Sequence, residues 1–323
     1  MIIWANLDCE ARWSGQTLPR HVAKRISAAS ALLAALAPTS EPAEIYAPAA
    51  IDPDRIKLPN VTLHAGDPTT WDLAWANPTA KAANDRRLAL ALTEQLGVAL
   101  RGARVITSLA ELDAHLATTH TARWVCKAPW TAAGRDRAHG EGDTLGPEMK
   151  MAGLTPARGA ELRVYVGRLL DRFGAVVFEP WLERVLDLGV CAQLAPDGRI
   201  TAQAPHTLLS DPRGGFLGID LAEPTLRDSD RVLLARTVAA AGNALHALDY
   251  VGPFTVDAFV YRSGDAQVLH PLCELNARYT FGHVARGLAA RFGTRVLGFG
   301  PPPPGAQILV AASADDPVSA WAS

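Results

Sequence analysis

The strongest constraint on the fold is a pair of apolar segments in the C-terminal part of the chain, "GPFTVDAFVY" and "AQVLHPLCELNARY". A short turn at Ser263-Gly264-Asp265 separates them. Both segments are rich in β-branched and aromatic residues, which favour strands, and a glycine-containing turn favours a hairpin. The chain must therefore contain a β-sheet that holds this long antiparallel pair.

Polar residues interrupt the hairpin at regular positions. If the chain turns at residues 263–265, Asp257 and Glu274 fall near one level of the sheet, and Glu274, Asn276 and Arg278 share one face. Carboxylate and amide oxygens suit Mg²⁺, and a guanidinium suits phosphate or carboxylate. The pattern predicts a cation-and-phosphate site. The alternative for the second strand alone is a solvated strand face.

Composition narrows the class of protein. A chain of 323 residues with 49% hydrophobic and 20% charged residues is expected to be globular, with two domains or one domain with subdomains. A net charge of −2 makes nucleic acid an unexpected partner. Four cysteines without CxxC spacing predict neither a zinc site nor a disulfide scaffold.

No membrane association is expected. The N-terminus "MIIWANLDCEARW" has no positively charged leader region, and the most apolar stretch, "ISAASALLAALAP", is too short to span a bilayer. We expect a cytoplasmic protein.

Three regions follow one another along the chain. Residues 1–80 alternate short apolar runs with a helical pattern, which predicts a small α/β unit without the G-x-G-x-x-G dinucleotide fingerprint. Residues 81–185 contain the strands "ARWVCKAPW" and "AVVFEPWL" and the polar turn "TAAGRDRAHGEGD". Residues 186–323 open with a segment, up to Ser210, that predicts two strands around an Asp197-Gly198 turn, and later include the hairpin.

The ordered motifs "WVCKAPWTAAGR", "VVFEPWLE" and "VDAFVY…CELNARYTFGH" resemble the ATP-grasp superfamily over about residues 80–300. The resemblance implies an α/β (α+β) chain with the ATP-grasp fold and an N-terminal Rossmann-like domain. The implied domains are 1–80, a small lobe with a lid loop at 81–185, and a large lobe with the metal site at 186–323.

The resemblance implies a phosphate site in the small lobe. Lys127 would contact the α- and β-phosphates of ATP and take part in catalysis. The loop "TAAGRDR" would form the lid, with Gly134 allowing close approach of the backbone and Arg135 adding charge. Where the family often has an earlier lysine, this chain has Arg86 and Arg87.

The same resemblance implies an adenosine site. Glu179 would accept a hydrogen bond from the adenine amino group, and Trp181 and Leu182 would line the edge of the ring. Asp187 would hold the ribose hydroxyls.

In the large lobe, the resemblance implies that Asp257 and Glu274 ligate Mg²⁺, with Glu274 bridging two ions and Asn276 on the second. Arg278 would be catalytic, neutralising charge on the γ-phosphate and on an acyl phosphate.

These roles imply an ATP-dependent ligase that activates a carboxylate as an acyl phosphate and joins it to an amine of an amino acid or peptide, releasing ADP and phosphate. The cofactors are ATP and Mg²⁺, and the partners are small carboxylate and amine substrates. Two alternatives stay open: a small-molecule kinase and a non-catalytic nucleotide-binding module. Dimers are common in this superfamily, so a homodimer is also open.

Two further features leave their roles open. Asn6, Asp8, Glu10 and Arg12 stand at strand spacing in "NLDCEARW", which is compatible with a substrate site or a polar strand edge. His283 follows Gly282 near the expected site, where a histidine contacts substrate or caps a helix.

Overall fold

Three β-sheets, each formed by a separate stretch of the chain, organise the protein. The computed structural model describes residues 1–38, 41–119, 121–131, 136–142, 159–211, 215–314 and 316–323, with the side chains of residues 159 and 160 left out. No helix within these ranges combines the length and the apolar character of a membrane span.

The first sheet is parallel. Its strands are β1 (Ile2–Trp4), β2 (Ala43–Ala47), β3 (Val61–Ala65) and β4 (Leu73–Ala74), in the order β3-β2-β1-β4. Helices α1 (Cys9–Trp13) and α2 (Arg20–Ser30) lie between β1 and β2, and a 3₁₀ segment, Ala31–Leu36, continues α2. The parallel strands with helical connections agree with the α/β unit that the apolar runs predict.

Helix α1 corrects one sequence prediction. The segment around Glu10 was expected to be extended, but residues Cys9–Trp13 are helical. Alanine, glutamate and arginine have high helix propensity, and the helix pairs Asp8 with Arg12 at 2.8 Å, four residues apart. The alternation of polar residues was a weaker signal than the composition of the segment.

The second sheet is antiparallel. Its strands are β5 (Arg104–Ile106), β6 (Arg123–Lys127), β7 (Arg137–Glu141) and β8 (Val176–Pro180), in the order β5-β8-β6-β7. The helices of this region are α3 (Arg86–Gln95), α4 (Leu109–Thr119) and α5 (Gly159–Phe173). Trp124 and Phe178 are fully buried in its core. Since β6 and β8 are direct neighbours, Lys127 and Glu179 come from adjacent strands.

The third sheet carries the predicted hairpin. Its strands are β9 (Arg184–Leu194), β10 (Ile200–Ala202), β11 (His206–Ser210), β12 (Phe216–Asp220), β13 (Gly252–Ser263), β14 (Ala266–Asn276), β15 (Val296–Phe299), β16 (Gln307–Val310) and β17 (Ala320–Ala322). The order is β14-β13-β9-β11-β12-β15-β17-β16, with β10 on β9. Helices α6 (Asp228–His246) and α7 (Phe281–Phe292) belong to the same region.

The hairpin prediction is confirmed, since Asp257 of β13 pairs directly with Glu274 of β14. The segment up to Ser210 was predicted to form two strands, which is wrong: it forms β9, β10 and β11. The residues "QAP" between β10 and β11 let the chain leave β10 and re-pair with β9 at a new register.

The two faces of the third sheet differ in chemistry. Leu188 of β9 and Val256 of β13 belong to a buried apolar cluster that also contains Leu234 and Val238 of α6. Because side chains alternate, their neighbours Gly189 and Asp257 lie on the opposite face. The polar residues of the hairpin are therefore displayed on the face away from α6.

Helix α7 fixes the first sheet to the third. A Cβ atom added at Gly287 of α7 would lie 2.1 Å from the backbone oxygen of Ala35, in the 3₁₀ segment after α2. Only glycine allows this approach without movement of the backbone.

We expect Gly287→Ala to lower the free energy of unfolding by about 1–3 kcal/mol, because the helix must shift away from Ala35. Gly167→Ala is the matched control: it lies within α5, and its Cβ would lie 3.5 Å from Leu109 Cδ1, an ordinary contact. Alanine is the better helix former, so this control is expected to gain about 0.5–1 kcal/mol. Thermal denaturation of both variants measures the difference, and equal melting temperatures would contradict the close approach.

Candidate active site

Two carboxylates and an amide meet on the polar face of the third sheet. Asp257 and Glu274 are paired across β13 and β14, and Asn276 Nδ2 donates a hydrogen bond of 2.9 Å to Asp257 Oδ2. Burial, and secondly the negative charge of Glu274, raises the pKa of Asp257 to about 7. Two crowded carboxylates favour a bound cation, and their oxygens with that of the amide form a donor set that suits Mg²⁺.

Arg86 supplies a cation to this cluster. Its Nη2 lies 2.7 Å from Glu274 Oε1, and the guanidinium also donates to the backbone oxygen of Ala128 and to both oxygens of Thr131. Asp85 accepts a hydrogen bond from the backbone of Arg87 and so begins α3 with Arg86 at its first position. Arg86 therefore links the carboxylates to the segment that leads into the lid sequence.

Among the described residues, no third acidic side chain is grouped with the two carboxylates as a metal ligand. In the ranges that the structure describes, no group of three or more histidine, cysteine, aspartate or glutamate side chains is arranged to hold a metal. The candidate set is thus Asp257, Glu274 and Asn276, completed by ligands from outside the chain. Mg²⁺ commonly binds in this way, through one or two carboxylates together with phosphates and water.

Lys127 and Glu179 form a second polar centre, on the second sheet. Lys127 Nζ lies 2.6 Å from Glu179 Oε2, and the two side chains are 15% and 13% exposed. Burial acts to raise the pKa of Glu179, but the Lys127 ammonium overrides burial and the pKa is lowered. In this structure the two side chains bind each other. The sequence predicts instead that Lys127 contacts phosphate and Glu179 contacts adenine.

Arg137, which pairs with Lys127, lies among other cations. Arg137 of β7 pairs with Lys127 across the ladder, and its buried Nε has no hydrogen-bond partner among the described residues. Burial, together with the charges of Arg184 and Arg86, lowers the pKa of Arg137. Crowded cations of this kind are stabilised by a bound anion such as phosphate.

The predicted lid residues Gly134 and Arg135 lie outside the described residues. Arg137, three positions after Gly134, is the nearest basic residue of that loop whose place is described. It begins strand β7.

Trp181 and Leu182 follow Pro180, the last residue of β8, and so lie two and three positions after Glu179. Trp181 packs edge-on against His139 of β7, with ring centroids 4.4 Å apart. Burial, and secondly the charge of Arg137, lowers the pKa of His139 to about 4, so its ring is neutral near pH 7. The pair adds apolar ring surface near the end of β8, with the imidazole nitrogens as polar groups.

Sequence reasoning missed Arg184. Its guanidinium carbon lies 4.0 Å from the centroid of Phe259 and 5.6 Å from that of Trp181, and its Nη1 donates to Asp187 Oδ1 at 3.0 Å. It thereby engages the carboxylate that was expected to hold the ribose. The only sequence signal was the i, i+3 spacing of Arg184 and Asp187 at the start of β9.

Arg278 is bound by Glu10 of helix α1, which follows strand β1 of the first sheet. Its Nε donates to Glu10 Oε1 at 2.9 Å, and the Cys9 thiol donates to the other oxygen of Glu10 at 3.1 Å. Burial acts to raise the pKa of Glu10, but Arg278 overrides it and the pKa is lowered. The guanidinium carbon also lies 5.6 Å from the ring centroid of Trp75. A buried ion pair between residues 268 positions apart cannot be seen in a local pattern.

His283 has a structural contact: its Nδ1 accepts a hydrogen bond from the backbone of Thr280 at the start of α7. His206 is fully buried beside it, and neither ring nitrogen has a partner in the described chain. A Cβ added at Gly189 or at Gly282 would lie 2.8 or 2.7 Å from His206 Nε2. The two glycines therefore leave the space that the His206 ring occupies. Burial lowers the pKa of His206 to about 3, so this ring is neutral near pH 7.

Comparison with protein-family models and with curated protein sequences finds no match. Comparison with solved structures does. Biotin carboxylase from Campylobacter jejuni, in a β-γ-ATP complex, matches with a TM-score of 0.59 and 11% identity, covering 99% of this chain and 86% of that one. N5-carboxyaminoimidazole ribonucleotide synthetase from Thermus thermophilus matches at 0.56 and 14%, covering 100% and 93%. The chain has the ATP-grasp fold.

A third ATP-grasp structure, phosphoribosylamine–glycine ligase from Thermotoga maritima, matches with a TM-score of 0.56 and 13% identity, covering 100% of this chain and 89% of that one. The chain spans less than two thirds of two other matched structures, D-alanyl-alanine synthetase A from Vibrio cholerae (64%) and a biotin carboxylase domain from Hydrogenobacter thermophilus (61%). At these identities the comparisons establish the α/β fold that the sequence predicts. They do not establish substrates or residue roles, which are inferred below from the geometry of the site.

Proposed function

We propose that the protein is an ATP-dependent ligase that activates a carboxylate as an acyl phosphate and joins it to an amine, releasing ADP and phosphate. The observation that carries the proposal is the pair of opposed polar centres. Asp257 and Glu274 offer oxygen ligands on the third sheet, and Lys127 and Arg137 offer positive charge on the second. Arg86 hydrogen-bonds to both regions. A metal–triphosphate complex satisfies both centres at once.

Asp257, Glu274 and Asn276 would hold Mg²⁺. The raised pKa of Asp257 and the cationic partner of Glu274 support this assignment, since both mark a place where positive charge is stabilised. When bound, Mg²⁺ would neutralise charge on the phosphates of ATP.

The reaction begins when a substrate carboxylate oxygen bonds to the γ-phosphorus and the bond between that phosphorus and the β–γ bridging oxygen breaks, so that ADP leaves. The amine nitrogen then bonds to the acyl carbon, phosphate leaves with the electrons of the broken C–O bond, and the amine loses a proton to solvent. Arg278 would neutralise the negative charge of the acyl phosphate.

The nucleotide-binding roles are proposals of the same kind. Lys127 would leave Glu179 for the phosphates, and Glu179 would then be free to accept from the adenine amino group. Trp181 and Leu182 would line the ring, and Asp187, now paired with Arg184, would turn to the ribose. Gly134 and Arg135 stay predictions for the lid.

A small-molecule kinase would use the same site but would transfer the γ-phosphoryl group directly to its substrate as the final product, with no amine step. The paired carboxylates argue against a module that only binds nucleotide. Domain boundaries at residues 80 and 185, a cytoplasmic location and a homodimer stay predictions.

Calorimetric titration with ATP and ADP, with and without Mg²⁺, tests the nucleotide site. We expect micromolar binding that depends on Mg²⁺. ADP release is then measured with a panel of carboxylic acids, each with and without amines. Release that requires both substrates supports the ligase, and release with one substrate alone supports the kinase. A protein that ignores nucleotide under all conditions has neither activity.

We expect Glu10→Gln to lower kcat for ADP release by about tenfold or more, because the catalytic guanidinium of Arg278 loses its charged partner and its fixed orientation. KM for ATP is expected to stay unchanged, since Glu10 belongs to the first sheet's region. Steady-state kinetics measure both constants. Glu41→Gln, at a residue whose side chain is 54% exposed, is the matched control. Equal kcat in the two variants would contradict the role of Glu10, and thermal denaturation checks that the fold is retained.

A further inference from the structure

A cavity of about 520 Å³ lies where edge strand β4 of the first sheet faces the start of β13. Trp71, Trp75, Tyr279 and Arg278 are among the residues that line it. Its volume is within the range of small-molecule sites in proteins. The lysine and glutamate of the nucleotide centre, Lys127 and Glu179, are not part of its lining.

Four of the fourteen residues that line the cavity are aromatic: Trp71, Trp75, Tyr250 and Tyr279. Trp71 is 43% exposed although its ring packs against Trp4, with centroids 4.7 Å apart. Trp75 is buried between Arg278 and Phe281 and contributes a fixed surface, and Tyr279 is partly exposed beside it. Rings with few rotatable bonds provide contact area for a flat ligand at low entropic cost.

Arg278 gives the cavity a charged end. Its hydrogen bonds within the described residues use Nε, to Glu10, and Nη1, to the backbone oxygen of Tyr279. The Nη2 group therefore remains as a donor for a carboxylate. Arg278 follows Asn276, the last residue of β14, by two positions, so the cavity lining adjoins the candidate metal ligands along the chain.

Asp72 lies at the exposed part of the lining, where its Oδ2 accepts a hydrogen bond from the backbone of Ile2. A negative charge here opposes a second anionic group on a ligand whose first carboxylate is at Arg278. A ligand with a single carboxylate does not meet this repulsion.

We propose that this cavity binds the carboxylate substrate of the ligase, and that the substrate is a small monocarboxylic acid with a flat aromatic or apolar body. The carboxylate lies at Arg278, where it meets the nucleotide, and the body lies against Trp71 and Tyr279. The inference rests on the proposed function for the reaction, but the binding site stands on the cavity itself.

Saturation-transfer NMR with phenylacetate and succinate as probes tests the site on the full chain. We expect phenylacetate to bind and succinate to bind at least about tenfold more weakly, because of Asp72. Trp71→Ala is expected to weaken phenylacetate binding about three- to tenfold, the value of one aromatic contact. Phe216→Ala is the matched control: Phe216 is 44% exposed and lies outside the cavity lining.

Equal binding of the two acids, or equal loss in the two variants, would overturn the inference. Calorimetry with MgATP on the same variants separates this outcome from failure of the ligase proposal. If MgATP does not bind but phenylacetate binds in a Trp71-dependent manner, the ligase proposal fails and the cavity assignment stands. If acids stimulate ADP release and Trp71→Ala changes nothing, the cavity assignment alone fails.

Discussion

Replacing Glu274 by glutamine is expected to lower the rate of ADP formation by at least about a hundredfold and to remove the Mg²⁺ dependence of nucleotide binding. Glu274 faces Asp257 across the hairpin and is the carboxylate to which Arg86 is already bound. An amide keeps the shape and one acceptor oxygen for Arg86, but it withdraws the charge that attracts the metal.

Two measurements check this expectation. Single-turnover ADP formation gives the chemical rate, and calorimetry with and without Mg²⁺ gives the binding. Glu94→Gln, at an exposed glutamate of α3, is the matched control and should behave as the wild type. If the Glu274 variant keeps both its rate and its Mg²⁺ dependence, Glu274 is not a ligand of Mg²⁺.

Lys127→Met is expected to lower the free energy of unfolding by about 3–5 kcal/mol, because it leaves the buried carboxylate of Glu179 without its cation. The double variant Lys127→Met/Glu179→Gln removes both charges and should recover most of that loss. Nucleotide affinity should be weak in both variants, since both lack the phosphate contact of Lys127 and the double variant also lacks the adenine contact of Glu179. The double variant is thus expected to regain stability but not nucleotide affinity, which separates the two effects of Lys127.

Chemical denaturation measures the stabilities. Arg262→Met is the control: Arg262 pairs with Glu183 at 3.1 Å, but the side chains are 51% and 69% exposed, so the loss should stay below about 1 kcal/mol. The folded-state pKa of Glu179 is lowered, so its ion pair stabilises the chain above the ordinary carboxyl pKa and loses this effect as pH falls through the folded-state pKa. The advantage of the wild type over the double variant should therefore shrink in acid. If Lys127→Met is no less stable than Arg262→Met, the buried pair is not formed.

Local pattern accounts for part of the fold. A strand has a period of two and a turn sets the register near it, so the sequence alone places Asp257 and Glu274 near one level of the sheet. Their direct pairing depends on a register shift between Asp257 and Phe259, which the turn does not set. The same reasoning failed at Glu10, where four alternating polar residues suggested a strand and the segment is helix α1. A short segment carries too few positions for periodicity to outweigh helix propensity.

The sequence by itself determined the hairpin, the face on which its polar residues lie and the order of motifs that predicts the ATP-grasp fold. Only the tertiary structure decided which charges meet: Arg86 with Glu274 over 188 positions, Lys127 with Glu179 over 52 and Arg278 with Glu10 over 268. The physical reason is that backbone periodicity relates residues only a few positions apart. A buried charge, in contrast, needs a partner of opposite sign, and the packing of separate sheets determines which residue lies close enough to be that partner.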